Sequence, residues 1–177
     1  MFYLLDQPTS AEFQSLAQRY RDMDPDSVKA TVTLLRTGSD LLTGFEKMLG
    51  HYKLSQGRFL ILVVMNRTPD QPTSPSMLAS QIGVTRATMT GLIDGLAKDG
   101  LIKRHMDKKD RRRYNLKLTR QGIELLENLL PDYWSRIFNL MSGLTKEEEK
   151  ALVWLLNKVA ERTDALTKVE DVNFESI

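Results

Sequence analysis

Apolar residues recur at intervals of three and four along most of the chain, the period of helices that bury one face. The first run, Ala11, Phe13, Leu16, Ala17 and Tyr20, predicts a short amphipathic helix over 10–22. Asp24 before Pro25 supplies an N-cap and a first-turn proline for a second helix. Its apolar face carries Val28, Val32, Leu35, Leu42, Phe45 and Leu49 as far as Gly50, a residue able to end it. Such a helix spans roughly 37 Å, more than a small domain needs for itself, so part of it is expected to pack on a second subunit. Ser55 caps a third helix that directs Phe59, Leu60, Leu62 and Val63 toward a core, before Asn66 and the turn-rich stretch 68–74 break it.

Two shorter helices follow. Ser74 and Pro75 open one that stops at Gly83, and Thr85 caps another that runs through Lys98 and ends at Gly100. Beyond Gly100 the period changes to a partial alternation over 101–106 and 114–118, which predicts a β-hairpin whose tip is the charged stretch 107–113. Thr119 caps a helix carrying Ile123, Leu125, Leu126, Leu129 and Leu130. Pro131 predicts a kink or restart before Tyr133, Trp134, Ile137, Phe138 and Leu140. Thr145 with Glu148 forms a capping box for a last helix, with Ala151, Leu152, Leu155, Leu156 and Val159 on one face and a polar tail after Leu166. The fold class is mainly α with a small β-hairpin.

Composition narrows the chemistry. With 177 residues and an ordinary apolar fraction, one core is expected. The absence of cysteine excludes disulfides, thiolate metal sites and thiol nucleophiles. The longest uncharged apolar run, 59–65, is far too short to span a membrane, and Met1–Leu5 followed by Asp6 does not read as a signal peptide, so a cytoplasmic address and no membrane partner are expected. Net charge is only +2, but 98–120 holds ten Lys or Arg against three Asp. A charge run of this kind is commonly just a solvated face, and only its context gives it more meaning.

That context is a helix-turn-helix pattern. Two short helices crossing at a steep angle need a small residue at the approach, a glycine at the turn and apolar residues that hold the angle. Ala79 and Gly83 meet the first two needs, and Leu78, Ile82, Val84, Met89 and Leu92 the third. With Met89, Leu92, Ile93 and Leu96 inward, the opposite face presents Thr85, Arg86, Thr88 and Thr90. Arginine and threonine suit base edges and phosphates of a major groove, and the helix N-terminus adds backbone donors. The hairpin follows as a wing would. Its tip holds Lys108, Lys109, Arg111, Arg112 and Arg113 with no aromatic residue, which favours duplex over stacked single strands, and arginine suits a narrow minor groove. Asp110 in such a tip is best read as a brace for Arg112.

These residues resemble the MarR family of bacterial regulators over roughly 28–159. The most specific likeness is Asp110, Arg112 and the closing Leu118-Thr119, preceded by Leu78, Ala79, Gly83, the helix to Leu96, Gly100 and Leu101. The resemblance implies one domain over 1–177: a winged helix-turn-helix lobe over 55–119, with helices 74–83 and 85–98 and a wing over 101–118, and a helical dimerisation region over 10–50 and 120–166. It implies that Arg112 enters the minor groove with Asp110 bracing it, while Thr85, Arg86, Thr88 and Thr90 face the major groove. It further implies a homodimer with a ligand cleft between its dimer and DNA-binding regions. Gly91 stands where many relatives have a polar or basic residue, and the helix over 10–22 precedes the usual start.

The expected function is a sequence-specific, double-stranded DNA-binding repressor that acts as a homodimer on a pseudo-palindromic operator and answers to a small aromatic or anionic effector. His51 and Arg58 fall near the expected cleft and could hold a carboxylate or phenolate; equally, Arg58 could pair locally and His51 simply end a helix. Two histidines on different elements give no zinc site, no cofactor is implied, and no catalytic constellation is found, so the chain does not read as an enzyme. The alternative is a winged-helix module that binds an acidic protein through its basic wing.

Overall fold

The computed structural model describes residues 8–68, 71, 73–106 and 114–167. The described elements are, in order, α1 (Ser10–Arg19), α2 (Pro25–His51), α3 (Gln56–Asn66), α4 (Pro75–Ile82), α5 (Arg86–Lys98), β1 (Ile102–Met106), β2 (Tyr114–Leu118), α6 (Arg120–Met141), α7 (Lys146–Ala160) and a 3₁₀ turn, Thr163–Leu166. One compact unit runs through Leu126 and a second begins at Glu127.

Side-chain caps set most helix starts. Asp24, Ser55, Ser74, Thr85 and Thr145 each accept a hydrogen bond from a backbone N–H of the following turn, so the orphan donors there are satisfied. A further capping box, Thr9 with Glu12, starts α1. That helix ends at Arg19, three residues short of the predicted limit, where Tyr20 turns extended; of its apolar residues only Phe13 is buried.

Three helix ends share one hydrogen-bonding pattern. Leu54, Val84 and Leu101 each donate their N–H back to the carbonyl five residues earlier, on Leu49, Ala79 and Leu96. The residue just before each donor must be left-handed. Gly83 (φ +75°) and Gly100 (φ +72°) fill that position in two cases, as their sequence positions predict. In the first case α2 runs past Gly50 to His51, and Lys53 takes the left-handed conformation (φ 56°) instead. Burial of Leu49 and Leu54 on either side compensates the cost of a non-glycine residue there.

The core of the first unit gathers Leu49, Ile61, Leu62, Leu78, Met89, Ile93, Leu96, Ile102, Leu116 and Leu126, each almost wholly enclosed. On α3 the expected phase is corrected. Ile61 and Met65 are buried with Phe59 and Leu62, whereas Leu60 is exposed. Pro131 does not restart the helix: α6 is continuous from Arg120 to Met141. Proline removes only one hydrogen bond from a long helix with full turns on both sides. The last helix stops at Ala160, earlier than predicted, where the Thr163 hydroxyl bonds the Ala160 carbonyl (3.0 Å) and the chain tightens into the 3₁₀ turn.

One junction ties hairpin and helices together. The Thr119 N–H donates to the Leu101 carbonyl (3.1 Å), its hydroxyl donates to the Gly100 carbonyl (2.6 Å), and that same oxygen accepts the Gly122 N–H (3.0 Å). Gly122 is buried so closely on Leu101 that an added Cβ would fall far inside contact distance of the Leu101 carbonyl oxygen. A strand end, a helix end and a helix start are thereby fixed by four residues, Gly100, Leu101, Thr119 and Gly122.

Two measurements check this local account. Gly122→Ala is expected to cost about 3 kcal/mol of unfolding free energy, because backbone must move. Gly91→Ala, whose Cβ would meet nothing within 4 Å, is expected to gain up to about 1 kcal/mol from helix propensity, and urea denaturation compares the two. At α7 the Thr145 N–H bonds the Glu148 carboxylate (2.7 Å) and the Thr145 side chain adds to it, holding Glu148 below the ordinary carboxylate range. A lowered folded value means the contribution is complete above the unfolded value and lost as pH falls through the folded one. The Thr145 and Glu148 amides should therefore report loss of the cap only on acidification below about pH 4, seen by NMR titration.

Candidate nucleic-acid interface

The first turn of α5 is held by its own threonines. Thr85 accepts the Thr88 N–H (3.2 Å), the two hydroxyls lie 2.9 Å apart, and the Thr90 hydroxyl donates to the Arg86 carbonyl (3.0 Å). Thr85, Arg86, Thr88 and Thr90 are all exposed, while Met89, Ile93 and Leu96 are buried on the other side. The face expected from the sequence therefore exists. Because Thr90 spends its donor on its own helix, toward a ligand it offers lone pairs and a methyl group. Arg86 is exposed and is ion-paired with none of the described residues. Ala87 and Gly91, also exposed, keep this surface low enough for another backbone to approach.

The hairpin pairs Ile102 with Leu118, Arg104 with Leu116 and Met106 with Tyr114, so these side chains share one face. Ile102 and Leu116 are buried on that face, which therefore turns inward. Lys103, His105 and Lys117 alternate onto the other face and are exposed. A third short segment joins them: Thr73 exchanges backbone bonds with Leu116 (2.8 and 3.5 Å) and is itself buried. The sequence reading placed Thr73 in a turn and missed this bridge, since a single paired residue has no period to detect. Lys108, Lys109, Asp110, Arg111, Arg112 and Arg113 lie outside the described residues.

Arg104, although itself exposed, is the exception among the basic residues in sharing the face of the buried Ile102 and Leu116. It ion-pairs with Asp94 of α5, and its guanidinium lies 5.1 Å from the centroid of the Tyr114 ring. Arg58 is engaged in a comparable way near the other end of α5. It ion-pairs with Asp99, the residue capping that helix, reaches the Lys53 carbonyl (3.5 Å) and keeps a buried Nε without a hydrogen-bond partner. This is the local pairing that the sequence left open for Arg58. His51 is exposed in the last turn of α2. A cleft of about 420 Å³ opens beside them, with Tyr52, Lys53, Asp99, Leu101, Gln121 and Glu124 in its lining; neither His51 nor Arg58 lines it.

Comparison with known proteins decides what this arrangement is. The family model described as MarR family matches residues 54–114. The chain is 34% identical over 146 residues to the HTH-type transcriptional repressor YetL of Bacillus subtilis (strain 168), covering 82% of this chain and 87% of that protein. The chain belongs to the MarR family. It is also 29% identical to the transcriptional repressor MprA of Escherichia coli (strain K12), over 85% of each chain. The S. aureus MepR–DNA complex, at 21% identity and a TM-score of 0.65, matches 74% of this chain and 94% of its own, a likeness that shows the shared fold. As a MarR-family protein the chain is a DNA-binding transcriptional regulator of winged helix-turn-helix fold, and not an enzyme. Among the described residues no helix is long and apolar enough to cross a membrane.

Removing Asp99 would leave the largely buried Arg58 guanidinium without its carboxylate. Asp99→Ala is expected to lower stability by about 1 to 2 kcal/mol by urea denaturation, and Arg58→Met added to it should recover part of that loss.

Proposed function

We propose that this MarR-family regulator is a ligand-responsive repressor that acts as a homodimer on a pseudo-palindromic operator. Thr85, Arg86, Thr88 and Thr90 read the major groove, Arg112 braced by Asp110 enters the minor groove, and Lys108, Lys109, Arg111 and Arg113 contact phosphates. The observation that carries this reading is the exposed face at the start of α5, where Arg86 has no ion-pair partner among the described residues and its exposed neighbours Thr85, Ala87, Thr88 and Thr90 are small or hydroxylated. Lys103, His105 and Lys117 on the outer hairpin face extend the positive surface.

Dimerisation is supported by apolar surface that one copy leaves uncovered. α7 has no buried residue, and Val153, Trp154, Leu155 and Val159 are each more than half exposed. An isolated helix of 15 residues is marginal in water, so it needs a partner face. Leu35 and Leu42 on α2 are similarly uncovered. In this reading the dimerisation region comprises 10–50 and 120–166, which include both of these uncovered faces. An effector then occupies the cleft that includes Lys53 and Asp99, next to the cap of α5, where an occupant that engages Asp99 in place of Arg58 would shift the recognition helix and favour a DNA-free arrangement.

The test uses full-length protein and a duplex it selects from a random library. Arg86→Ala and Arg112→Ala are each expected to weaken that duplex by at least about tenfold, with helicity and the dimer mass in sedimentation unchanged. Selection of no duplex, or unchanged binding by the folded double variant, would overturn the reading. A flat dependence of affinity on salt would point to an acidic protein partner instead.

A further inference from the structure

We propose that Arg104 is a positioning residue that grips Asp94 and so fixes the spacing between the recognition helix and the wing. The proposal rests on the DNA-binding reading above and adds to it how the two contacting elements are kept in register. Arg86, Thr90 and Asp94 follow one another at intervals of four, so Asp94 lies on the same stripe of α5 as two of the proposed DNA contacts. A free carboxylate there would face phosphates and repel them. Arg104 meets that carboxylate from the hairpin, on the inward face it shares with Ile102 and Leu116, and its guanidinium packs on Tyr114 of the neighbouring strand.

The geometry gives this contact leverage. A two-stranded hairpin is marginal by itself, and this one is anchored at its base by Thr119 and along β2 by Thr73 on Leu116. Arg104 and Tyr114 lie further toward the tip, where Met106 and Tyr114 form the last pair of the described register. A charged tether at that point limits how far the distal strands swing relative to α5. The basic residues of the hairpin thereby divide by face: Lys103 and Lys117, ion-paired with none of the described residues, face outward toward a polyanion, and Arg104 serves the architecture.

Asp94→Asn separates this role from simple charge effects by the sign of its outcome. If Arg104 acts as one more phosphate contact, removing the neighbouring carboxylate tightens binding. If Arg104 positions the hairpin, the loss weakens it. On the duplex selected by wild-type protein, Asp94→Asn and Arg104→Gln are each expected to weaken binding by roughly fivefold, and the double variant by no more than either alone. Amide hydrogen exchange without DNA should accelerate at His105 and Asn115, the last pair of the described register whose amides face each other across the strands, in both single variants, with global unfolding changed little. Equal or tighter binding by Asp94→Asn, or additive losses in the double variant, overturns the proposal. Should wild-type protein select no duplex, the DNA-binding reading fails separately, and unchanged exchange in Asp94→Asn would still overturn the tether.

Discussion

Everything that this chain presents to a ligand hangs on the joint between Gly100, Leu101, Thr119 and Gly122. There α5 ends, the hairpin leaves and returns, and α6 begins, all tied by the two hydrogen bonds of one threonine hydroxyl and a backbone bond between Thr119 and Leu101. The missing side chain of Gly122 lets α6 start directly against the Leu101 carbonyl. Buried Leu96, Ile102 and Leu116 around this joint mean that the recognition helix and the hairpin share one core and cannot be displaced independently without exposing it. In the MarR-family setting, that coupling makes a helix and a wing into a single reading head.

Electrostatics follow the same division of labour. Asp94 and Asp99, the acids of α5 and its cap, are each taken by an arginine from another element, Arg104 from β1 and Arg58 from α3. Local charge is therefore balanced where the structure needs to be held, while Arg86, Lys103 and Lys117 are ion-paired with none of the described residues. These pairs are partly exposed and individually of modest energy, so their value lies in geometry more than in stability. The Arg58 pair also reaches the Lys53 carbonyl, at the strained end of α2. It joins the long helix proposed to form the dimer to the cap of the helix proposed to read DNA, which is the path an effector in the adjoining cleft would use.

Much of this was legible in the sequence because short-range chemistry determines it. The caps at Asp24, Ser55, Ser74, Thr85 and Thr145, the left-handed glycines at 83 and 100, and the alternation of the hairpin are all local signals. What escaped was decided by tertiary contact. The unbroken apolar run 59–65 has no phase of its own, so only packing could bury Ile61 and expose Leu60. Lys53 accepts a conformation that its side chain disfavours because buried leucines flank it, and Pro131 is tolerated because α6 is long. Arg104 lies within the basic run 98–120, and its position between Ile102 and Met106 in the alternation puts it on the face of Ile102. The partners Asp94 and Asp99 could not be assigned without coordinates.

The central claim is that α5 and the hairpin engage duplex DNA together, once per subunit of a dimer. Hydroxyl-radical footprinting of full-length protein on its selected duplex tests it most directly. The account expects two sets of protected sugars related by a dyad and centred about one helical turn apart, roughly 34 Å, each flanked by protection across the adjacent minor groove that disappears in Arg112→Ala. A single unpaired patch, or flanking protection that survives in that variant, would contradict it.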